Sequence, residues 1–457
     1  RRLMLSASST GQERGVVFLG RHADVAHAQT NSTVFTEKHY LDIGKQLTAD
    51  TVIIGLPDGD ADRKIRTDML WRAYSAISTN GVKGLHEEMI VFTAQAARQV
   101  LLRVGPSGRM DLLLQFGFLV PFLFVQQFFG VTGPSWLTPV AIAAKYGRTN
   151  AAETPREWLV RAPAVPESSA PYLTLQTWTR FAFAEVFTNI NRRSDLAGMA
   201  RQAAVEMQLH IDQLIAKEAA SPSGARNLLA KLVEQWPTAP GTQDDKIRRT
   251  RLIVTDLLGA LMVNVGSPFC RVMELVIDHS LDTSELIAAQ GATDDRMLSR
   301  FIEEALRLNP AGAIQFRTVK ANADDPNWNK LPSGGTVEDG DLVVLMVMAA
   351  NRDWRVFGNP PPDEFSLTRD ANAYLTFGGP KNADAPHPGG DKDASADRTA
   401  LHHCWGERIG LLLVREMLKA SAQLKLMRRA AGPKGDTALL LGLPNSLHVR
   451  FSPTQVG

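Results

Sequence analysis

Apolar positions recur at three- and four-residue spacing through most of this chain. That spacing predicts helices over 21–29, 60–74, 81–103, 110–129, 173–187, 195–220, 225–236, 244–279 and 294–309. Short β-rich runs bounded by turn residues stand at 16–19, 52–55, 314–319, 336–337 and 342–348, with a closing hairpin at 439–451 around Pro444 and Asn445. Ser333-Gly334 and Asp339-Gly340 supply two-residue turns between the later strands. The helix over 244–279 is apolar nearly all round from 257 to 265, so it should run through the centre of the protein. Pro268 inside it lacks a backbone donor and predicts a kink or opening, with Asn264 and Ser267 beside the break. Segments 132–172 and 383–399 lack periodicity and read as long loops, the first as a lid. The pattern as a whole is mainly α with a small β-rich part.

Composition narrows the classes. At 457 residues the chain is long enough for several domains or one large one. Hydrophobic residues make up 44% and charged residues 21%, the balance of a globular protein with a sizeable core. A formal net charge of +2 gives no field for nucleic acid, and no nucleic-acid partner is expected. The apolar window 116–131 contains Pro121, Gln126 and Gln127 and falls short of the ~20 residues a bilayer requires, so no transmembrane segment is expected. Cys270 and Cys404 are too far apart for a CxxC site or a disulfide framework, which favours a reducing, cytoplasmic setting.

Candidate chemistry concentrates around Cys404, just before the apolar run 409–418. A thiolate there gains from the positive end of a helix, and Gly406 lets a flat object approach the backbone. The plainer alternative is an inert cysteine at a helix start. Glu304 and Arg307 lie one turn apart and can form a buried pair, although such spacing is common in helical proteins. Asp62 and Arg66 share a helix face in the same way.

Taken in order, these motifs resemble the cytochromes P450. Glu304-Ala305-Leu306-Arg307 resembles that family's ExxR helix. Ala349-Ala350-Asn351-Arg352-Asp353 and Val356-Phe357-Gly358-Asn359-Pro360 resemble the turn ahead of the haem loop, and His402-His403-Cys404-Trp405-Gly406 matches the HxCxG core. The resemblance covers 16–451 and implies the P450 fold. It implies a single haem domain over 1–457, with its β-rich part at 14–60 and 312–376 and its helical part at 60–310 and 404–430. It implies haem b with Cys404 as proximal iron ligand, Arg66, Arg317 and His402 gripping the propionates, and Gly406 beside the ring. It also implies an apolar pocket of Leu258, Leu261, Met262, Val265 and Phe269 from the long helix and Ala311, Ala313 and Ile314 after ExxR. Such a pocket suits a hydrophobic small molecule such as a lipid.

The chain departs from the family in four places. Phe377 stands 27 residues before Cys404, where the family has a phenylalanine seven before, so 379–399 looks like an insertion of about 20 residues. Asp62 stands where the family often has histidine. Glu364 takes the place of the family's third structural residue, usually arginine or histidine, which predicts a rebuilt or weakened cluster at Glu304 and Arg307. Finally, placing Ser267 at the family's threonine puts Gly266 where a proton-delivering acid belongs. Three readings follow. The first is a haem-thiolate monooxygenase, with Ser267 and waters relaying protons and a ferredoxin and reductase supplying electrons. The second is a peroxide-driven enzyme, a fatty-acid hydroperoxide isomerase or peroxygenase that needs no electron donor, with Asn264 holding a hydroperoxide oxygen. Against that role, Asn264 would only cap the carbonyl freed by Pro268. The third is a catalytically silent P450-like partner protein.

Overall fold

The computed structural model describes residues 2–5, 14–48, 50, 55–57, 60–104, 107–134, 170–187, 194–278, 287, 295–379, 404, 406–424, 427–429, 438–440 and 443–452. Most of the strand expected at 52–55, most of the loop expected at 132–172 and the inserted segment, with His402, lie outside the described residues. The chain divides into two compact units, Arg1–Lys64 with Ser299–Glu407 and Ile65–Leu298 with Arg408–Gly457.

A five-stranded sheet organises the first unit. Its order is Arg2–Leu5, Arg14–Leu19, Leu342–Leu345, Gln315–Val319, Phe35–Thr36. Arg14–Leu19 and Leu342–Leu345 run parallel, in a register that sets Val17 opposite Val343 and Leu19 opposite Leu345. These four residues point to one face and pack with Val319, Phe35 and the helix residues Val25 and Ala28. The run expected at 342–348 is a strand only to Leu345, and Val347–Ala350 forms one helical turn. The pair at 336–337 makes a single bridge, Thr336 with Lys330. Gly334 and Gly340 adopt left-handed φ of 87° and 82°, which the two turns require. A helix that the periodicity had not marked spans Lys38–Thr48, its buried side made by Tyr40, Gly44 and Leu47. Glycine in the middle of that stripe conceals the apolar repeat.

The second unit is helical. Asp60 caps the helix Ala61–Ser75, its carboxylate accepting from the N–H groups of Asp62 (2.8 Å) and Arg63 (3.0 Å). The helices Gly81–Val104, Ala170–Phe187, Ser194–Ala220, Leu228–Glu234 and Gln243–Asp278 follow. Thr242 and Asp245 close the start of the long helix as a reciprocal cap. That helix passes Pro268 without interruption, so the expected opening is not there. It is long and apolar enough to cross a bilayer, and 72% of its apolar window is buried inside the protein, as a core helix is.

The expected helix at 110–129 begins as the strand Arg109–Asp111. It continues through the widened turns Leu113–Gly117 and Val125–Phe129, on either side of Leu119–Phe124. The closing hairpin pairs Ala438–Leu440 with Leu443–Ser446. Pro444 and Asn445 therefore lie in a strand rather than at the turn expected there.

Candidate active site

In the first unit, the helix Arg296–Leu308 carries Glu304 and Arg307, both fully buried. Arg307 donates to both carboxylate oxygens of Glu304, through Nε at 2.7 Å and Nη2 at 2.9 Å. Its remaining donors reach the carbonyls of Asn351 (2.7 Å), Pro362 (2.8 Å) and Glu364 (3.1 Å). Glu304 also accepts the Tyr374 hydroxyl (2.6 Å) and the Ser366 N–H (2.9 Å). Such a buried pair persists because every lone pair and proton is matched.

The third member of this cluster is Arg369, not Glu364. The Arg369 Nε lies 3.3 Å from Glu304, and its fork donates to the carbonyls of Phe357 (2.8 Å), Pro360 (2.8 Å) and Pro361 (2.6 Å). Glu364 contributes a backbone carbonyl while its side chain stays exposed. The cluster is therefore complete, which corrects the expectation that Glu364 weakens it. A signal was present in the sequence: Pro360-Pro361-Pro362 have no N–H groups of their own, and the carbonyls around them need outside donors.

The same network reaches Cys404. The buried Asn351 accepts the Leu375 N–H at 2.9 Å and donates to Thr376 Oγ1 at 3.2 Å. Two residues further on, the Phe377 carbonyl accepts the Cys404 N–H at 2.8 Å. Phe377 thus reaches the cysteine in space despite the inserted segment. The backbone N–H groups of Gly406 and Glu407 reach the Cys404 sulfur, and a carbon added at Gly406 would meet only that sulfur, at 3.8 Å. The Cys404 side chain is exposed, and protein atoms gather around it at longer range. That crowding pushes the thiol up to about 11, with the Glu407 charge adding to it and the two N–H groups opposing it. A bound metal cation overrides such a shift and deprotonates a ligating thiol. Among the described residues no three His, Cys, Asp or Glu side chains group as a metal site.

Arg317, on the strand Gln315–Val319, is buried beside Glu37, with 3.5 Å between Nε and the carboxylate. Ala311, Ala313 and Ile314 ahead of it are half-buried.

In the second unit, Arg66 is fully buried on its helix. On the long helix, Asn264 and Ser267 lie one turn apart on the face that also carries the half-buried Asp256 and Leu257 and the exposed Ala260. The Asn264 amide is half-buried and has no hydrogen-bond partner among the described residues, so it does not cap a carbonyl there. Ser267 Oγ is buried, also without a partner among the described residues.

Gly266 faces another way. A carbon added to it would come within 2.6 Å of the Phe118 ring and 2.9 Å of the Gly117 carbonyl oxygen. Leu258, Met262, Val265 and Phe269 are also closed off by protein, Phe269 against Phe116 (5.3 Å between rings), and Leu261 is 7% exposed. The accessible line of this helix is therefore Asp256, Leu257, Ala260 and Asn264, rather than the apolar set expected to line a pocket.

No family model matches the chain. It is 25% identical over 178 residues to cytochrome P450-terp of a Pseudomonas species, a match covering 39% of this chain and 34% of that protein. It is 24% identical over 208 residues to Psi-producing oxygenase A of Emericella nidulans (44% of this chain, 17% of that protein). With linoleate diol synthase of Gaeumannomyces graminis it shares 25% over 180 residues (35% and 13%). The matches thus span about a third or less of these curated relatives. Among solved structures, the bacillaene polyketide synthase cytochrome P450 PksS of Bacillus subtilis superposes with a TM-score of 0.65 at 16% identity, over 99% of this chain and 93% of that one. The ExxR network, the turn that hands Phe377 to Cys404 and this full-length superposition agree: the chain has the cytochrome P450 fold.

Proposed function

We propose that this chain is a haem-thiolate oxidoreductase of the P450 type that takes its oxygen from an organic hydroperoxide. The observation that carries this reading is the accessible face of the long helix. It offers an uncommitted amide, Asn264, and Gly266 has no room for an acid. In this reading Cys404 holds the iron, Arg66, Arg317 and His402 meet the propionates, and Gly406 leaves open space beside the sulfur. Bound haem supplies an iron that breaks O–O bonds, with electron density pushed from the thiolate. Asn264 donates an N–H to a hydroperoxide oxygen and orients it, as the resemblance to hydroperoxide-isomerising family members implies. Isomerisation moves oxygen within one substrate and needs no outside electrons. A linoleate hydroperoxide is the natural probe, because one relative is named for linoleate.

A second reading, monooxygenation, is favoured by Ser267. Its buried hydroxyl lacks a partner among the described residues and can hold a water on a proton path. The two readings separate on mixing the protein with linoleate hydroperoxide without reductant. Rapid turnover is expected, reduced about 10²–10³-fold in Asn264→Ala and retained in Ser267→Ala. Absence of turnover, together with hydroxylation driven by NAD(P)H through a ferredoxin system, overturns the hydroperoxide reading in favour of monooxygenation. A reduced, CO-treated protein without a thiolate-type Soret band overturns both and leaves the silent partner.

A further inference from the structure

A buried carboxylate stands against the arginine assigned above to a haem propionate. Glu37 and Arg317 are 2% and 4% exposed. Glu37 opens the helix Lys38–Thr48, its carbonyl accepting the N–H groups of Tyr40 (2.9 Å) and Leu41 (3.1 Å). Arg317 lies on the strand Gln315–Val319, with Nη1 donating to the Phe316 carbonyl at 2.8 Å and Nε 3.5 Å from Glu37. The Tyr40 hydroxyl accepts the Phe316 N–H at 2.9 Å and ties that helix to that strand beside the pair. Both charges therefore sit on regular elements joined next to them. A buried ion is tolerated only with its counter-ion, so Arg317 is charge-balanced before any ligand arrives.

We propose that Glu37 is a positioning residue that stands beside the Arg317 guanidinium and cancels part of its charge, and so holds bound haem in the ferric state. The inference rests on the haem-thiolate reading above. The ferric–ferrous couple takes up one electron. A nearby cation favours that electron and a nearby carboxylate opposes it. Glu37 lowers the potential by offsetting Arg317. An enzyme fed by hydroperoxide works from the ferric form and is protected by resistance to reduction. An enzyme that activates dioxygen must be reduced first.

Spectroelectrochemical titration of the holoprotein, with dithionite as electron donor, tests this. In Glu37→Gln the ferrous-to-ferric ratio at a fixed potential is expected to rise on the order of tenfold, a positive shift of about 59 mV for one electron. Glu37→Gln combined with Arg317→Gln removes both charges and is expected to stay within about threefold of the wild-type ratio. An unshifted or negatively shifted Glu37→Gln overturns the proposal. So does a double variant with a strongly lowered potential, because Arg317 would then act uncompensated. If Glu37→Gln alone loses haem, the double variant decides. A wild-type protein lacking the thiolate-type CO spectrum overturns the haem reading itself, which keeps the two failures apart.

Discussion

Four carbonyl oxygens and one carboxylate converge on the buried Arg369 guanidinium, from Phe357, Pro360, Pro361, Glu364 and Glu304. Replacing that cation removes the donors to the Phe357, Pro360 and Pro361 carbonyls and leaves Glu304 and the Glu364 carbonyl to Arg307 alone among the two arginines. Arg369→Gln is expected to cost about 3–5 kcal/mol in urea denaturation, the range for breaking a buried pair by removing one partner. Glu364→Gln changes an exposed side chain whose only role in the cluster is its backbone carbonyl. It is expected to stay within about 0.5 kcal/mol of wild type. Equal losses in the two variants would restore Glu364 to the cluster. At this scale the sequence was partly legible. Glu304 and Arg307 announce themselves by spacing, since one helical turn suffices to bring them together. Arg369 reaches Glu304 across 65 residues, through loops whose path no local pattern encodes.

At the scale of elements, a helix was easier to place than its rotation. The long helix was expected over 244–279 and spans Gln243–Asp278, because its apolar repeat is long and its cap, Thr242 with Asp245, is local. Which apolar residues face protein and which face an open surface depends on what packs against them. Leu258, Met262, Val265 and Phe269 looked equally suited to a pocket, and the structure buries all four. Gly266 shows the packing partner. Its missing side chain admits the Phe118 ring and the Gly117 carbonyl, which sit where the widened turn Leu113–Gly117 passes into Leu119–Phe124. Gly266→Ala is therefore expected to destabilise the protein by about 1–3 kcal/mol through overpacking, although alanine is the better helix former. Adding Phe118→Ala makes room for the new methyl, so the double variant should lose less than the sum of the two single changes. Thermal unfolding followed by circular dichroism measures both. Additive losses would place the crowding elsewhere.

For the whole molecule, the two compact units are not two separable pieces of chain. Their boundaries at 64/65, 298/299 and 407/408 each fall inside a helix, Ala61–Ser75, Arg296–Leu308 and Glu407–Ser421. A helix is cooperative along its length, because each backbone bond is cheap to add only to a turn already formed. Melting one unit therefore frays three helices that the other unit needs. One of them carries Glu304 and Arg307, and another starts immediately after Cys404 and Gly406. Loss of either unit's packing should thus release the ExxR network and the cysteine loop together. Equilibrium unfolding in guanidinium is expected to show one transition, with far-UV circular dichroism and tryptophan fluorescence coincident at the same midpoint. Trp178 is buried in the second unit and Trp328 packs against the sheet of the first, so fluorescence samples both. Two resolved midpoints would show that the helices break at the boundaries, and that the ExxR network of the first unit stands independently of the long helix in the second.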